Sequence, residues 1–311
     1  MLRERRVGSL LLLLLMPLLG SCRQERLVRD TTVPPFVFRS LNLRQQDKTG
    51  QPAWELTSPE ARYDLQRRVA QATSPRGVIY VRGKPVYRLE ATSGTVLNDG
   101  EVILLEGDIR VQRLGPQPVL IKSSRVRWLP SREVMEIDRR PEALDPHSRL
   151  VARRARFLLG KDQLELRGAP RLERWTERFD PIRGAPKAAP EVVVTVSRAD
   201  WEPGTGFLEA RGPVAAQRRP PGAPPSAPPQ TLTASKLEGN TVKQEFRLKA
   251  PVSFDDPSEK TRFQGQDVRI DMAEKTIRTR DPFQGWRDSL QVAGGAVEIY
   301  GKDDNAVIPS G

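Results

Sequence analysis

The chain has 311 residues, with 51 Lys or Arg and 39 Asp or Glu, which gives a formal net charge of +12. It contains a single cysteine, Cys22, and a single histidine, His147, so a disulfide within the chain and a metal site of the Cys/His type are excluded. Hydrophobic residues make up 37% of the sequence, and the length allows one extended domain or two compact ones.

The N-terminus has the three parts of an export signal. Basic residues precede a leucine block over residues 10–15, and two small residues, Gly20 and Ser21, lead to Cys22. The apolar stretch is about ten residues long, shorter than the roughly 20 residues that a membrane-spanning helix needs. The pattern therefore predicts export rather than a permanent transmembrane helix.

The sequence LGSC at residues 19–22 resembles the bacterial lipobox, in which the chain is cut before the cysteine and the cysteine is lipidated. That resemblance implies a lipoprotein signal peptide over residues 1–21, a lipid anchor on Cys22 and a flexible tether over residues 22–35. Two alternatives are a cysteine of the core and an ordinary signal peptide followed by an incidental cysteine.

Export places the protein in the cell envelope, on the periplasmic side, and argues against nucleic acid as the partner of the positive charge. Anionic lipid head groups or glycolipids are the partners that an exported basic protein favours. The basic residues are scattered along the chain, so the alternative is that they only keep the surface solvated.

The first element of the mature chain is a strand with apolar residues at alternating positions from Phe36 to Leu43. A polar turn follows at residues 47–50, and a second apolar run begins at Trp54. This order predicts a β-hairpin.

A second hairpin is predicted over residues 87–113, where apolar and polar residues alternate on both sides of an Asn-Asp-Gly turn at residues 98–100. The same pattern recurs over residues 148–174, 192–214 and 230–254. Weaker copies lie at 118–138, 261–279 and 288–300.

The spacing of the copies, about 30 residues, is typical of stacked supersecondary units, and we interpret each unit as one hairpin. The pattern predicts that one set of apolar residues points inward: Leu89, Ala91, Ile103, Leu105, Ile109, Leu150, Leu164, Leu166, Leu208, Leu232 and Leu248.

A closed propeller and a flattened roll of two facing sheets both satisfy a stack of hairpins. A propeller blade needs four strands and about 40 residues, so a two-strand unit favours an elongated β-roll. Small residues recur at matched inner positions and would keep an apolar groove open, although they are equally compatible with a filled core. They include Ala91, Gly107, Ala152, Gly168, Ala210, Gly212, Ala234 and Ala250.

Two proline-rich insertions, at residues 177–191 and 218–230, interrupt the array between hairpins. We interpret both as surface loops without a role of their own. The predicted organisation is a β-roll over residues 36–301, in one segment or two, followed by a tail over residues 302–311.

The opening of the mature domain resembles the LptC family of lipopolysaccharide-export proteins. The resemblance is carried by the pattern W-x-L-x-x-x-x-A-x-Y from Trp54 to Tyr63, by LEATSG at residues 89–94 and by LEGDIRV at residues 105–111. It covers residues 36 to 174 well and extends more loosely to about residue 300.

The resemblance implies a β-jellyroll with an apolar inner groove and no catalytic residues, metal or cofactor. It implies that the groove accepts the acyl chains of lipopolysaccharide, or a related glycolipid, from an inner-membrane ABC transporter of the LptBFG type. Neighbouring jellyroll proteins would then carry the glycolipid toward the outer membrane. Arg23 follows the anchor cysteine, so the sequence leaves open which membrane holds the lipid, although the family's function favours the inner one.

The residues themselves give little support for an enzyme. His147 lies in a turn sequence, no nucleophile elbow is present, and the acidic pairs Asp255-Asp256 and Asp303-Asp304 have the character of turns. The alternative to transport is a non-catalytic envelope lipoprotein that acts as a scaffold or carries another lipid. A transport role requires open sheet edges, for which the strands near Phe36–Leu43 and Leu290–Ile299 are the candidates.

Overall fold

A computed structural model describes residues 36–300, except 220, 221, 223 and 225, together with residues 305–307. The predicted signal peptide, the Cys22 anchor, the tether up to residue 35 and most of the predicted tail lie outside the described residues. Within them, the prediction of an all-β fold of repeated antiparallel hairpins is confirmed.

The described residues form 29 strands. In chain order these are β1 (Phe36–Phe38), β2 (Leu41–Gln46), β3 (Pro52–Ser58), β4 (Glu60–Asp64), β5 (Val69–Thr73), β6 (Arg76–Val81), β7 (Lys84–Glu90), β8 (Ser93–Leu97), β9 (Val102–Arg113), β10 (Val119–Leu129), β11 (Val134–Ile137), β12 (Glu142–Leu144), β13 (Ser148–Val151), β14 (Arg154–Leu158), β15 (Gln163–Arg167), β16 (Arg171–Arg174), β17 (Val192–Thr195), β18 (Arg198–Trp201), β19 (Phe207–Arg218), β20 (Gln230–Asn240), β21 (Glu245–Lys249), β22 (Val252–Asp256), β23 (Thr261–Gly265), β24 (Val268–Asp271), β25 (Thr276–Thr279), β26 (Phe283–Arg287), β27 (Leu290–Gly294), β28 (Val297–Tyr300) and β29 (Asn305–Val307). Short 3₁₀ turns occupy Asn98–Gly100, Pro130–Arg132 and Leu159–Lys161.

The strands belong to two antiparallel series that share four long strands. Sheet I has the order β1-β4-β5-β8-β9-β10-β11-β14-β15-β18-β19-β20-β21-β24-β25-β28-β29. Sheet II has the order β2-β3-β6-β7-β9-β10-β12-β13-β16-β17-β19-β20-β22-β23-β26-β27. The shared strands β9, β10, β19 and β20 run from one sheet into the other, so the two sheets form a β-jellyroll.

Hairpins alternate between the sheets along the chain. The β8–β9 hairpin of sheet I is followed by the β9–β10 hairpin of sheet II, and then by β10–β11 of sheet I. Each repeat of about 30 residues therefore holds two hairpins, one per sheet. Our interpretation of one hairpin per repeat was wrong, because each repeat also contains a crossover from one sheet to the other.

The crossovers all lie along one side of the roll, and glycine makes several of them possible. Gly107 lies in the crossover of β9 with a φ of 96°, and Gly212 lies in that of β19 with a φ of 92°. Only glycine adopts this region at low cost. A Cβ at Gly107 would collide with the Thr92 side chain. These glycines turn the strand at the corner between the sheets, which explains their recurrence without reference to a groove.

The first insertion is folded rather than a bare linker. Trp175 is buried and contacts Phe179 edge to face at 5.5 Å, and its Nε1 donates to the carbonyl of Ala188 at 2.9 Å. The amide of Phe179 donates to the carbonyl of Pro146 at 2.8 Å. The insertion after β16 is therefore attached to the neighbouring β12–β13 turn of sheet II. The second insertion joins β19 to β20, and it is described only in part.

Candidate functional site

The residues predicted to point inward lie on the facing surfaces of the two sheets. Ten of the eleven are buried and only Leu232 is partly exposed. On sheet II, Leu89, Leu150 and Leu232 belong to one continuous cross-strand row. On sheet I, two such rows run side by side and include Ile103, Leu105, Leu164, Leu166, Leu208 and Leu248.

The interior is filled along the first two thirds of the roll. Trp54 of sheet II contacts Trp128 of sheet I edge to face at 5.3 Å, and Tyr87 contacts Phe157 in the same way at 5.1 Å. These aromatic pairs join the two sheets across the core. A small apolar cavity of about 20 Å³ lies near Leu150, with room for about one water molecule. Over this stretch the core is packed, and no groove is open.

In the C-terminal third of the roll, the inward residues are less completely buried. In this third, the inward residue of a strand that lies beside a crossover remains buried. The next inward residue on the same strand, two positions further from the crossover, is only partly buried. Leu248, for example, is 1% exposed, whereas Phe246 on the same strand is partly exposed. The inward side chains of this third are therefore more exposed to solvent away from the crossovers than beside them, although Leu232, Phe246, Phe263, Ile270 and Ile277 still pack against the buried core.

We call the partly exposed residues the C-terminal slot. On sheet I they form one cross-strand row: Phe246, Ile270, Ile277 and Ile299. On sheet II they are Leu232, Phe254, Phe263 and Val292, which also lie in one row. Only Leu232 was among the predicted site residues. The repeat copy at 230–254 carried the signal for Phe246 and Phe254, and the weaker copies at 261–279 and 288–300 carried it for the other five.

A polar cluster closes the middle of the roll on the side of the hairpin turns. Asp162, in the β14–β15 turn of sheet I, accepts a hydrogen bond from the Tyr87 hydroxyl of sheet II. Arg113 Nε lies 3.7 Å from the same carboxylate. Burial raises the pKa of Asp162, and the hydrogen bond from Tyr87 and the positive charge of Arg113 oppose that shift. This cluster holds a turn of sheet I against sheet II within the packed stretch.

The single histidine and the acidic pair at residues 255 and 256 make contacts within the fold. His147 is partly buried, which lowers the pKa of its imidazole, and its backbone amide donates to Asp145. Asp256 is buried and accepts the amide of Ser258 at 3.0 Å in the β22–β23 turn. The pair Asp303-Asp304 lies outside the described residues. In the part of the chain that the structure describes, no group of three His, Cys, Asp or Glu residues is arranged to hold a metal.

Both ends of the roll expose strand edges. β1 and β2 each have one neighbouring strand at the N-terminal end, and β27 and β29 do at the C-terminal end. The edges carry exposed apolar side chains, including Val37 at 62% and Leu290 at 63% exposure. The predicted first strand is divided between the two sheets as β1 and β2. Part of the predicted tail forms β29, an edge strand beyond the segment that we expected to be last.

Among the described residues, no helix has the length and apolar character that crossing a bilayer requires.

Comparison with known proteins supports the resemblance noted in the sequence. A family model described as lipopolysaccharide-assembly, LptC-related, matches residues 8–173. No curated protein matches the chain. The family is defined by assembly and transport, not by a catalytic reaction. Because the match spans more than half of a chain with the two-sheet roll described above, the protein belongs to the LptC-related family and functions in lipopolysaccharide assembly.

Proposed function

We propose that this protein accepts lipopolysaccharide, or a related glycolipid, by its acyl chains and passes it along a bridge of β-jellyrolls. The donor is an inner-membrane ABC transporter of the LptBFG type, which supplies the energy. The protein itself performs no catalysis. The lipid on Cys22 holds it to a membrane on the periplasmic side, and residues 22–35 form the tether.

The C-terminal slot is the observation that carries this proposal. Its eight apolar side chains lie on the facing surfaces of the two sheets and are partly exposed to solvent. Partly exposed apolar residues in two facing rows form a surface that favours an apolar chain over water. The slot lies beyond residues 8–173, where the family model matches, so the argument for acyl chains at this place rests on geometry.

The other predicted groove residues take part only if the sheets separate further. Leu105 and Leu166 are fully buried between the sheets. We propose that a lipid enters at the slot and reaches them by separating the packed stretch. The Asp162 cluster is one contact that would have to break on the side of the turns before a lipid reached Leu105.

A photo-crosslinking amino acid tests the proposal in cells. We expect Ile277 and Phe246 positions to crosslink lipopolysaccharide only while the transporter hydrolyses ATP. The outward neighbours Arg278 and Arg247 are matched controls on the same strands, and we expect no crosslink from them. A crosslink at Leu166 would indicate that the packed stretch opens as well. Equal crosslinking at inward and outward positions, or none at all, would contradict the slot as the lipid site.

The second candidate function is an envelope scaffold or a carrier of another lipid. The exposed edges favour it as much as they favour transport, since a scaffold also binds neighbours. Co-purification of the full chain from membranes separates the two. Recovery of an ABC transporter supports transport, whereas recovery of outer-membrane assembly proteins alone supports the scaffold.

A further inference from the structure

A second site lies on the crossover side of the roll, away from the hairpin turns that border the slot. Three crossovers meet there: the bulge of β10, the β11–β12 connection and the β13–β14 connection. They border an open surface depression of about 570 Å³, which we call the crossover pocket. Its lining residues are Lys122, Ser123, Ser124, Asp138, Arg139, Arg140, Glu142 and Arg153.

The bulge of β10 brings the walls of the pocket together. The register of β10 against β9 shifts between Ser123 and Arg125, which turns the backbone at Ser124. The Ser123 hydroxyl lies 3.2 Å from the carbonyl of Arg125 and 3.3 Å from that of Arg139. These contacts attach the loop that carries Arg139 to the bulge. The Ser124 side chain is exposed beside them.

Three arginines of the pocket have no ion-pair partner among the described residues: Arg139, Arg140 and Arg153. The neighbouring outer surface is different, because Arg127 is paired with Glu136 at 3.4 Å and Arg156 with Glu165 at 3.8 Å. These two arginines of the neighbouring strands are compensated, whereas the three arginines of the pocket are not.

The two carboxylates of the pocket do not cancel its charge. The Glu142 carboxylate lies 3.3 Å from Arg149, which is outside the pocket, and further, at 3.9 Å, from Lys122 inside it. Its charge is therefore shared with a cation outside the pocket. Asp138 is exposed. With four cationic and two acidic side chains in its lining, the pocket has a net charge of +2.

We propose that the crossover pocket binds a phosphate group. Several guanidinium groups beside an ammonium and a serine hydroxyl match the charge and the several acceptor oxygens of phosphate. An anion would also offset the repulsion among the cations. The phosphate can belong to a membrane lipid or to a soluble phosphate compound, since both present the same group. This site is separate from the slot and does not depend on the proposed transport function.

Calorimetric titration of the full chain in nonionic detergent with inorganic phosphate tests the site. We expect one saturable site in the wild type and at least tenfold weaker binding by the R139Q/R140Q/R153Q variant. The R88Q/R132Q/R269Q variant is the control, because it removes the same charge from three exposed arginines without ion-pair partners among the described residues. We expect its affinity to stay within twofold of the wild type. Circular dichroism must show the same fold in all three proteins.

Absence of saturable binding by the wild type, or an equal loss in both variants, would overturn the proposal. The second outcome would mean that only net charge matters.

Arginine modification by phenylglyoxal, mapped by mass spectrometry, distinguishes the sources of phosphate. Free phosphate should protect Arg139, Arg140 and Arg153. Protection also by phosphatidylcholine vesicles containing phosphatidic acid supports a lipid head group as the ligand. Protection by free phosphate alone supports a soluble phosphate compound. If neither protects these three arginines more than Arg88, the pocket is not a phosphate site.

Discussion

At the scale of single residues, the corner glycines decide whether a strand can pass from one sheet to the other. Gly107 has a positive φ and no room for a Cβ beside Thr92. We expect Gly107→Ala to lower the free energy of unfolding by at least about 2 kcal/mol, because alanine is disfavoured at this φ and its methyl group collides with Thr92. Chemical denaturation measures the loss.

Gly50 supplies the control for that change. It has a φ of 81° in the β2–β3 turn, and a Cβ there would have no neighbour within 4 Å. We expect Gly50→Ala to cost only the backbone strain, about 1 kcal/mol. Equal losses at the two positions would show that Thr92 does not restrict the corner.

Asp267 connects charge to stability at the residue scale. Its carboxylate accepts hydrogen bonds from Arg247 Nε at 2.7 Å and from Lys249 Nζ at 2.7 Å. The bonds from Arg247 lower the pKa of Asp267 from 3.8 to about 2. A carboxylate whose pKa is lowered by folding stabilises the fold above its unfolded pKa, and that stabilisation is lost as the pH falls.

We therefore expect Asp267→Asn to reduce the free energy of unfolding by about 1 kcal/mol at pH 7. The difference from the wild type should shrink as the pH falls below 3.8 toward 2. Denaturation at a series of pH values checks this. The control is Asp288→Asn, which removes a single exposed pair with Lys260 and should change stability less. A difference that persists at pH 2 would contradict the assignment to the carboxylate charge.

At the scale of elements, the first insertion behaves as part of the fold. Trp175 is 7% exposed and is fixed by Phe179 and by the carbonyl of Ala188. We expect Trp175→Ala to cost about 3 kcal/mol, the usual loss for a buried aromatic residue. Trp175 precedes the insertion and packs on it, whereas Ile182 lies within it. Ile182 is 43% exposed, and Ile182→Ala should cost less than about 0.5 kcal/mol. Thermal melting of both variants tests this difference, and similar melting temperatures would restore the interpretation as a linker.

Local patterns predicted the hairpins but could not predict how they are divided between the sheets. The Asn98–Gly100 turn and the inward positions on both sides of it follow from alternation alone. Along β9, the inward residues continue from Ile103 and Leu105 to Ile109 and Val111 without a change of phase. The strand passes into the other sheet at Gly107 between them. Since both sheets bury the same face toward one core, the alternation carries no sign of the crossover.

The candidate site was less predictable than the fold for a related reason. Phe246 and Leu248 are both inward on β21, yet one is partly exposed and the other is buried. The difference depends on how far apart the two sheets are at that point. Elsewhere in the roll, contacts between residues far apart in the sequence, such as Trp54 with Trp128, hold the two sheets together. Periodicity identifies the face of a strand, but it does not contain the separation of two sheets.

At the scale of the whole described roll, packing divides the molecule into two stretches. Aromatic pairs and the Asp162 cluster hold the sheets together where the family model matches. Past β20, the inward residues away from the crossovers become partly exposed on both sheets, whereas those beside the crossovers stay buried. A packed stretch provides stability and an open one provides apolar surface, so the two properties are separated along a single continuous fold. This arrangement explains how a roll without disulfides within the chain can remain stable while exposing a slot.

The two ends of the roll then determine which partners it can join. An open strand edge pairs with another strand, and a charged side chain on the edge opposes such pairing. Val37 on β1 and Leu290 on β27 are exposed at opposite ends, whereas Leu65 lies in the β4–β5 turn with 57% exposure. We expect Val37→Asp and Leu290→Asp to leave the melting temperature nearly unchanged while each abolishes pairing with a jellyroll at its own end.

Leu65→Asp adds the same charge at a position away from both edges, and it should retain every partner. Co-purification of the crosslinked full chain from membranes, with partners identified by mass spectrometry, measures the outcome. If the two edge variants lose different partners, the protein joins its neighbours end to end and its position within a bridge is ordered. If all three variants keep the same partners, or all three lose them, the strand edges do not mediate the contacts and the bridge must be held by another surface.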